Sequence, residues 1–257
     1  MAISTRLHVL GTMLGSAVQH ALGHPLVLSA PACDRSTLAR AADAYIAAQA
    51  AGGVGLLVDI VADGWEYEEN IVRKDVRSGV LSKSLKIDHR RTIYDLVACA
   101  TYTEVIGADP ADPYVIGTQI RHDEDSLATL IDSIATTTNS WLFNAQRTLE
   151  YVLQETWDPI PKDRRDSREF IKAASDAYLD MWSNDTAADA VPWRTPCARL
   201  EGGVYTGRGR PDDSCKAGIP TNTSQAPNIR RRHEFRLEGG KLRVELVWIL
   251  TYAYGLE

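Results

Sequence analysis

Apolar and polar residues alternate most regularly between Leu85 and Thr136, and the pattern predicts three strands of one curved sheet. The run from Thr92 to Val105 is rich in Thr, Val, Ile and Tyr, and it stops at the turn signals Gly107, Asp109-Pro110 and Asp112-Pro113. Tyr114 to His122 reads as a second strand, Asp123-Glu124-Asp125 as a tight turn, and Leu127 to Thr136 as an antiparallel return. Strand period puts Gln119 and Arg121 on one face, with Ile116, Thr118 and Ile120 on the other. It also puts Asp132 on the face of Leu130 and Ile134. A carboxylate between aliphatic neighbours is costly to bury unless it is paired or has a task. The competing reading is a carboxylate at a strand edge reaching solvent.

The pattern before this sheet is helical. Asp34 can cap a helix beginning near Arg35, whose stripe is Leu38, Ala41, Ala42, Tyr45 and Ile46 and whose stop is Gly52-Gly53. Leu56 to Val61 reads as a second short helix, and Trp65 to Asn70 as the opening of the first strand. After the sheet, Trp141-Leu142-Phe143-Asn144 reads as a last strand or a turn, and Ala145 to Gln154 as a helix. Trp157-Asp158-Pro159-Ile160-Pro161 breaks the pattern and marks a boundary. Asp166 with Glu169 then signals a helix carrying Phe170, Ala174, Tyr178 and Leu179 on its inner stripe.

That helix echoes the first. Ala41-Ala42-Asp43-Ala44-Tyr45-Ile46 matches Ala174-Ser175-Asp176-Ala177-Tyr178-Leu179, and Ile120-Arg121-His122 before a turn and Leu127 resembles Phe235-Arg236-Leu237 before Glu238-Gly239-Gly240 and Leu242. Two related α+β units are expected, 33–155 and a shorter 160–257.

Composition narrows the setting. The 257 residues are 44% hydrophobic and 24% charged with a net charge of -6, which leaves no basic footprint for nucleic acid apart from Arg230-Arg231-Arg232. Residues 1–32 carry one early Arg6, no acidic residue, an apolar run from Leu7 to Val18 and the ending Ala30-Pro31-Ala32. They read as a secretory signal or as a retained extension, so the chain is placed in the secretory pathway or, with the extension kept, in the cytoplasm. The four cysteines fall two per half, and the favoured pairing is Cys33 with Cys99 and Cys197 with Cys215. None has metal-site spacing. Two N-glycosylation sequons, at Asn184 and Asn222, lie in polar stretches.

Through Tyr67-Glu68-Glu69-Asn70, Leu85 to His89, Ala98 to Glu104 and Tyr114 to Arg121, residues 33–155 resemble the NTF2-like, or SnoaL-like, superfamily. Together with Pro192 to Gly203 and His233 to Arg243, the same stretches resemble a family of fungal, mostly secreted proteins of unknown function. The superfamily resemblance implies an α+β fold: a cone-shaped barrel in which helices cover a curved antiparallel sheet, here in a tandem or pseudo-repeat arrangement. It also implies cofactor-independent isomerases, dehydratases and cyclases acting on polycyclic or terpenoid substrates, alongside many non-catalytic binders. Such chemistry needs one or two acid/base groups in an apolar pocket and neither metal nor organic cofactor.

The candidate acid/base residues are Asp132, His89 and Asp88. Neighbouring strand residues face opposite sides, so at most one of Asp88 and His89 points inward unless a bulge intervenes. Tyr67, Asn70, Arg121, Gln119, Tyr102 and Trp141 are the expected substrate-holding set. Each has a structural alternative: Tyr67 packed at the mouth of the cone, Arg121 paired with Asp132 across the hairpin. Arg199 with Glu201, and His233 with Arg236, read as a charge ladder, and Trp141, Trp157, Trp182, Trp193 and Trp248 as core or seam filling. Dinucleotide, phosphate-loop, nucleophile-elbow and zincin signatures do not occur. The expectation is a proton-moving or pericyclic enzyme of fungal secondary metabolism with a small hydrophobic substrate, no membrane span and a homodimeric assembly. The alternative is a secreted, non-catalytic binding or effector-like protein.

Overall fold

The computed structural model describes residues 33–155 and, apart from 162, 164, 182, 185 and 209, residues 161–216. The expectations for 1–32, Trp157, Trp182, Asn222, Arg230 to Arg232, the His233 to Arg243 hairpin and Trp248 lie outside the described residues.

Helix α1 runs Arg35–Ala51. Its start is fixed by Asp34, whose carboxylate accepts from the Thr37 amide at 2.9 Å, and its end by Gly52 at φ 65, a conformation that costs a residue without Cβ little. Gly52 also lies so close to Lys83 and Ser84 backbone that a Cβ would collide with both. The predicted stripe Leu38, Ala41, Ala42, Tyr45 and Ile46 is buried.

Six strands follow: β1 Val61–Glu69, β2 Val72–Arg73, β3 His89–Asp95, β4 Ala100–Gly107, β5 Tyr114–His122 and β6 Ala128–Thr137. They form one sheet in the order β2-β1-β6-β5-β4-β3, antiparallel except where β1 runs parallel to β6. The architecture is therefore α+β with a mixed sheet. Its outer strands β2 and β3 do not pair, so the sheet is open and the expected closed, wholly antiparallel barrel is not formed.

Strands β5 and β6 fall within a residue of their expected ends. The stretch from Leu85 to Val105 is corrected, because it folds back on itself as the β3–β4 hairpin. The reversal is made by the Asp95 carboxylate, which accepts from the Val97 and Ala98 amides at 3.0 Å each, and by Cys99 at φ 48. The short helix expected over Leu56 to Val61 is a 3-10 turn, Val54–Leu57, and β1 already begins at Val61. Trp141 to Asn144 is a turn into helix α2, Ala145–Val152.

Alternation along the paired strands gives the sheet two faces. On one, Val105, Ile116, Ile120, Ile131 and Ala135 pack with Tyr45, Ile46, Leu57 and Leu81 in the main core beneath α1. On the other, Ile106 and Val115 pack against Ala145 and Val152 of α2.

Helix α3 spans Arg168–Asp180. Its cap is Ser167 rather than Asp166, and its buried stripe is Ile171, Ala174, Tyr178 and Leu179; Phe170 is exposed, one position out of the expected phase. A two-stranded ladder, β7 Leu200–Glu201 with β8 Val204–Tyr205, follows. Both pieces are tied to the first half. Arg168 reaches Asp95 with two hydrogen bonds of 2.9 and 2.6 Å, and the Gly203 amide donates to the Leu142 carbonyl at 2.8 Å. Tyr205 meets Tyr151 edge to face.

The cysteines pair as expected, Cys33 with Cys99 and Cys197 with Cys215. The first joins the start of α1 to the β3–β4 turn across a separation of 66 residues; a loop of that size stabilises a fold by about 4 kcal/mol. Two disulfides fit an oxidising, extracellular or secretory setting. No helix among the described residues is long and apolar enough to cross a membrane.

Candidate functional site

Strand register lines up a polar row on the sheet face turned away from α1. Glu68 of β1 stands opposite Asp132 of β6, Asp132 opposite Gln119 of β5, and Gln119 opposite Tyr102 of β4. The next row carries Arg121 between Ala100 and Leu130, with Asp95 beyond Ala100. Asp132 is 2% exposed, Gln119 1% and Tyr102 4%. Burying three polar side chains side by side at mid-sheet is expensive, and packing alone gives no reason for it.

The Gln119 amide has a defined orientation. Arg121 Nε, which can only donate, lies 2.9 Å from Gln119 Oε1, so the carbonyl side faces the guanidinium. The Nε2 side is buried and has no hydrogen-bond partner among the described residues. Arg121 itself is half-buried; burial pulls its pKa below the ordinary value, and the Asp132 and Asp95 carboxylates pull it back up. Tyr102 lies over Gly117, where a Cβ would collide with the tyrosine hydroxyl, so a glycine in β5 makes room for the ring.

A second polar group sits on the same face towards the other end of the strands. The Glu104 carboxylate, buried, receives Arg91 Nη2 at 2.7 Å, and His89 Nε2 lies 3.7 Å away. Arg91 also holds Glu155, just past α2, at 2.8 Å. His89 and Asp132 are three strands and four residues apart in register, roughly 20 Å on a flat sheet, so they do not share a site.

Other expected residues are distributed differently. Asp88 lies before β3, accepts from the Ala108 amide at 2.8 Å and pairs with Lys86; the lysine first, then that amide, hold its carboxyl below the usual range. Tyr67 faces α1, on the opposite side of the sheet from Asp132, and donates to Glu69 at 2.7 Å. Asn70, at φ 49, uses both ends of its amide on the Ala135 backbone. These two bonds make Asn70 a corner brace. Trp141 is half-buried in the turn before α2. The structure thus brings together Asp132, Gln119, Tyr102 and Arg121, and separates them from Tyr67, Asn70, Asp88 and His89.

Glu104, Arg91 and Asp95 went unnoticed in the sequence. Glu104 carries the same signal as Asp132, a carboxylate whose same-face neighbours, Tyr102 and Ile106, are not charged.

Residues 164–237 match the family model described as Domain of unknown function (DUF8021). That stretch covers α3 and the β7–β8 ladder and leaves the six-stranded sheet outside it. No curated protein matches the chain.

Proposed function

We propose that this chain is a cofactor-independent acid/base enzyme of NTF2-like, SnoaL-like type, and that its site is the buried row Asp132, Gln119 and Tyr102 with Arg121 beside it. The observation that carries the reading is the Gln119 amide: its carbonyl is held by Arg121, and its buried Nε2 is left as a donor without a partner among the described residues. An unpaired buried donor costs about 1–3 kcal/mol, a cost that a ligand acceptor would remove. A helix laid across a predominantly antiparallel sheet supports the superfamily part of the reading.

The chemistry follows from the groups. A substrate carbonyl accepts from Gln119 Nε2, and the Asp132 carboxylate takes a proton from the adjacent carbon as the C–H bond breaks. Its electron pair moves into the enolate, whose charge the amide and the nearby guanidinium stabilise. Returning the proton to another carbon gives an isomerase; losing a β-hydroxyl as water gives a dehydratase. Ile134, Leu130 and Ile93 around the row favour a hydrophobic, polyketide-like or terpenoid-like substrate.

The test is a panel of enolisable polyketide-like and terpenoid ketones, incubated with the full chain and followed by mass spectrometry for isomerisation, loss of water or deuterium uptake. Asp132→Asn is expected to lower turnover about 100- to 10,000-fold with the near-ultraviolet dichroism unchanged. Turnover undiminished in Asp132→Asn would sink the proposal. The two disulfides favour a second reading, a durable extracellular binder. Saturable binding without turnover would select it.

A further inference from the structure

We propose that Asn184 is an N-glycan acceptor. The residue belongs to an Asn-x-Thr sequon in the loop that follows α3, and both Asn184 and Thr186 are exposed. The local hydrogen bonds divide the asparagine amide in two. Its Oδ1 accepts from the Thr186 amide at 3.1 Å and from the Thr186 hydroxyl at 2.8 Å. Its Nδ2, the atom that would carry the sugar, makes no hydrogen bond among the described residues. A glycan on Nδ2 therefore displaces no contact of the fold and leaves the Oδ1 turn intact. Asn70 shows the opposite case: its Nδ2 donates to the Ala135 carbonyl, and its chain context is no sequon. The two disulfides supply the independent requirement, since an oxidising compartment is also where glycan transfer takes place.

The modification balances as a substitution. Asn184 Nδ2 attacks C1 of a lipid-pyrophosphate-linked oligosaccharide and the C1–N bond forms. The C1–O bond to the pyrophosphate breaks, the pyrophosphate lipid leaves with its electron pair, and the amide proton goes to a base of the transferase. The Thr186 hydroxyl, already bonded to Oδ1, is the feature of this loop that such a transferase would read.

Expression of the full chain in a secreting yeast tests the assignment. Peptides are compared before and after peptide-N-glycosidase treatment in heavy-oxygen water. The Asn184 peptide is expected to appear with the labelled deamidation tag only after the enzyme. The tag should vanish in Asn184→Gln and Thr186→Ala and persist in Thr186→Ser. Asn222 lies in a separate peptide and is read independently. An unmodified Asn184 peptide in the wild-type chain, from medium or from cells, overturns the proposal.

Discussion

The two faces of the six-stranded sheet are built from alternate residues of the same strands, and the buried glutamine on each side uses its amide in the opposite sense. Beneath α1, polar side chains are tied to the fold: Tyr45 Oη lies 2.6 Å from Thr118 Oγ1, which lies 2.8 Å from Ser133 Oγ, and Tyr67 donates to Glu69. The fully buried Gln49 of α1 likewise gives its Nε2 to the Val80 and Lys83 carbonyls at 2.9 and 3.0 Å. Across the sheet the equally buried Gln119 has its Nε2 without a partner among the described residues, beside a buried carboxylate. The difference teaches where to look for chemistry. The α1 face has buried atoms without a partner among the described residues too, Gln49 Oε1 and Thr101 Oγ1, so what sets the other face apart is an amide donor lying beside a buried carboxylate.

The largest expected effect on stability tests how that second face is held together. Asp95 is buried, takes both guanidinium bonds of Arg168 and closes the β3–β4 turn. Asp95→Ala leaves the guanidinium and two amides without their acceptor and is expected to cost about 3–5 kcal/mol in urea unfolding. On the α1 face, Ile116→Val should cost only about 1 kcal/mol. Equal losses would erase the contrast between a face anchored by charge and one anchored by packing.

A smaller effect should appear at high pH and come from the α1 face. Burial pushes the Tyr45 phenol up to about 12, against the weaker opposing pull of its Thr118 and Ser133 hydrogen bonds. Burial, then the Glu69 charge, raise Tyr67 as well. Because the folded state holds these protons more tightly, their stabilisation is complete below about pH 10, the ordinary tyrosine value, and is lost as pH rises through the folded pKa. For Tyr45 the loss is roughly 2 kcal/mol between pH 10 and 12. Urea midpoints across that range check it, and Tyr45→Phe should flatten the fall while costing about 1 kcal/mol at neutral pH. An unchanged slope in Tyr45→Phe would remove this phenol from the account.

Much of this was legible in the residues, for identifiable reasons. Helix α1 was readable because Asp34 and Gly52 punctuate it chemically, and β5 and β6 because one polar turn separates two clean alternations. The β3–β4 reversal was hidden because Leu96, Val97 and Ala98 look like strand, and the turn is made by a carboxylate and a disulfide instead of Gly or Pro. In the α3 stripe Ala174, Tyr178 and Leu179 are buried as expected and only Phe170 gives way, to its neighbour Ile171. In the site, strand period was enough to group Gln119 and Arg121, and to give Asp132 its face within β6. It could not relate β1 to them, since Tyr67 and Asn70 join through the parallel β1–β6 pairing, a contact between residues more than sixty positions apart.

The most direct measurement is a nuclear magnetic resonance titration of the side-chain amides of Gln119 and Gln49 with the ketone panel, starting from carvone. The account predicts that at least one ketone shifts the Gln119 amide protons saturably, that the shift persists in Asp132→Asn, and that Gln49 stays still. If no ketone moves Gln119, or if those that bind move Gln49 instead, the face away from α1 is not the site and the central claim is wrong.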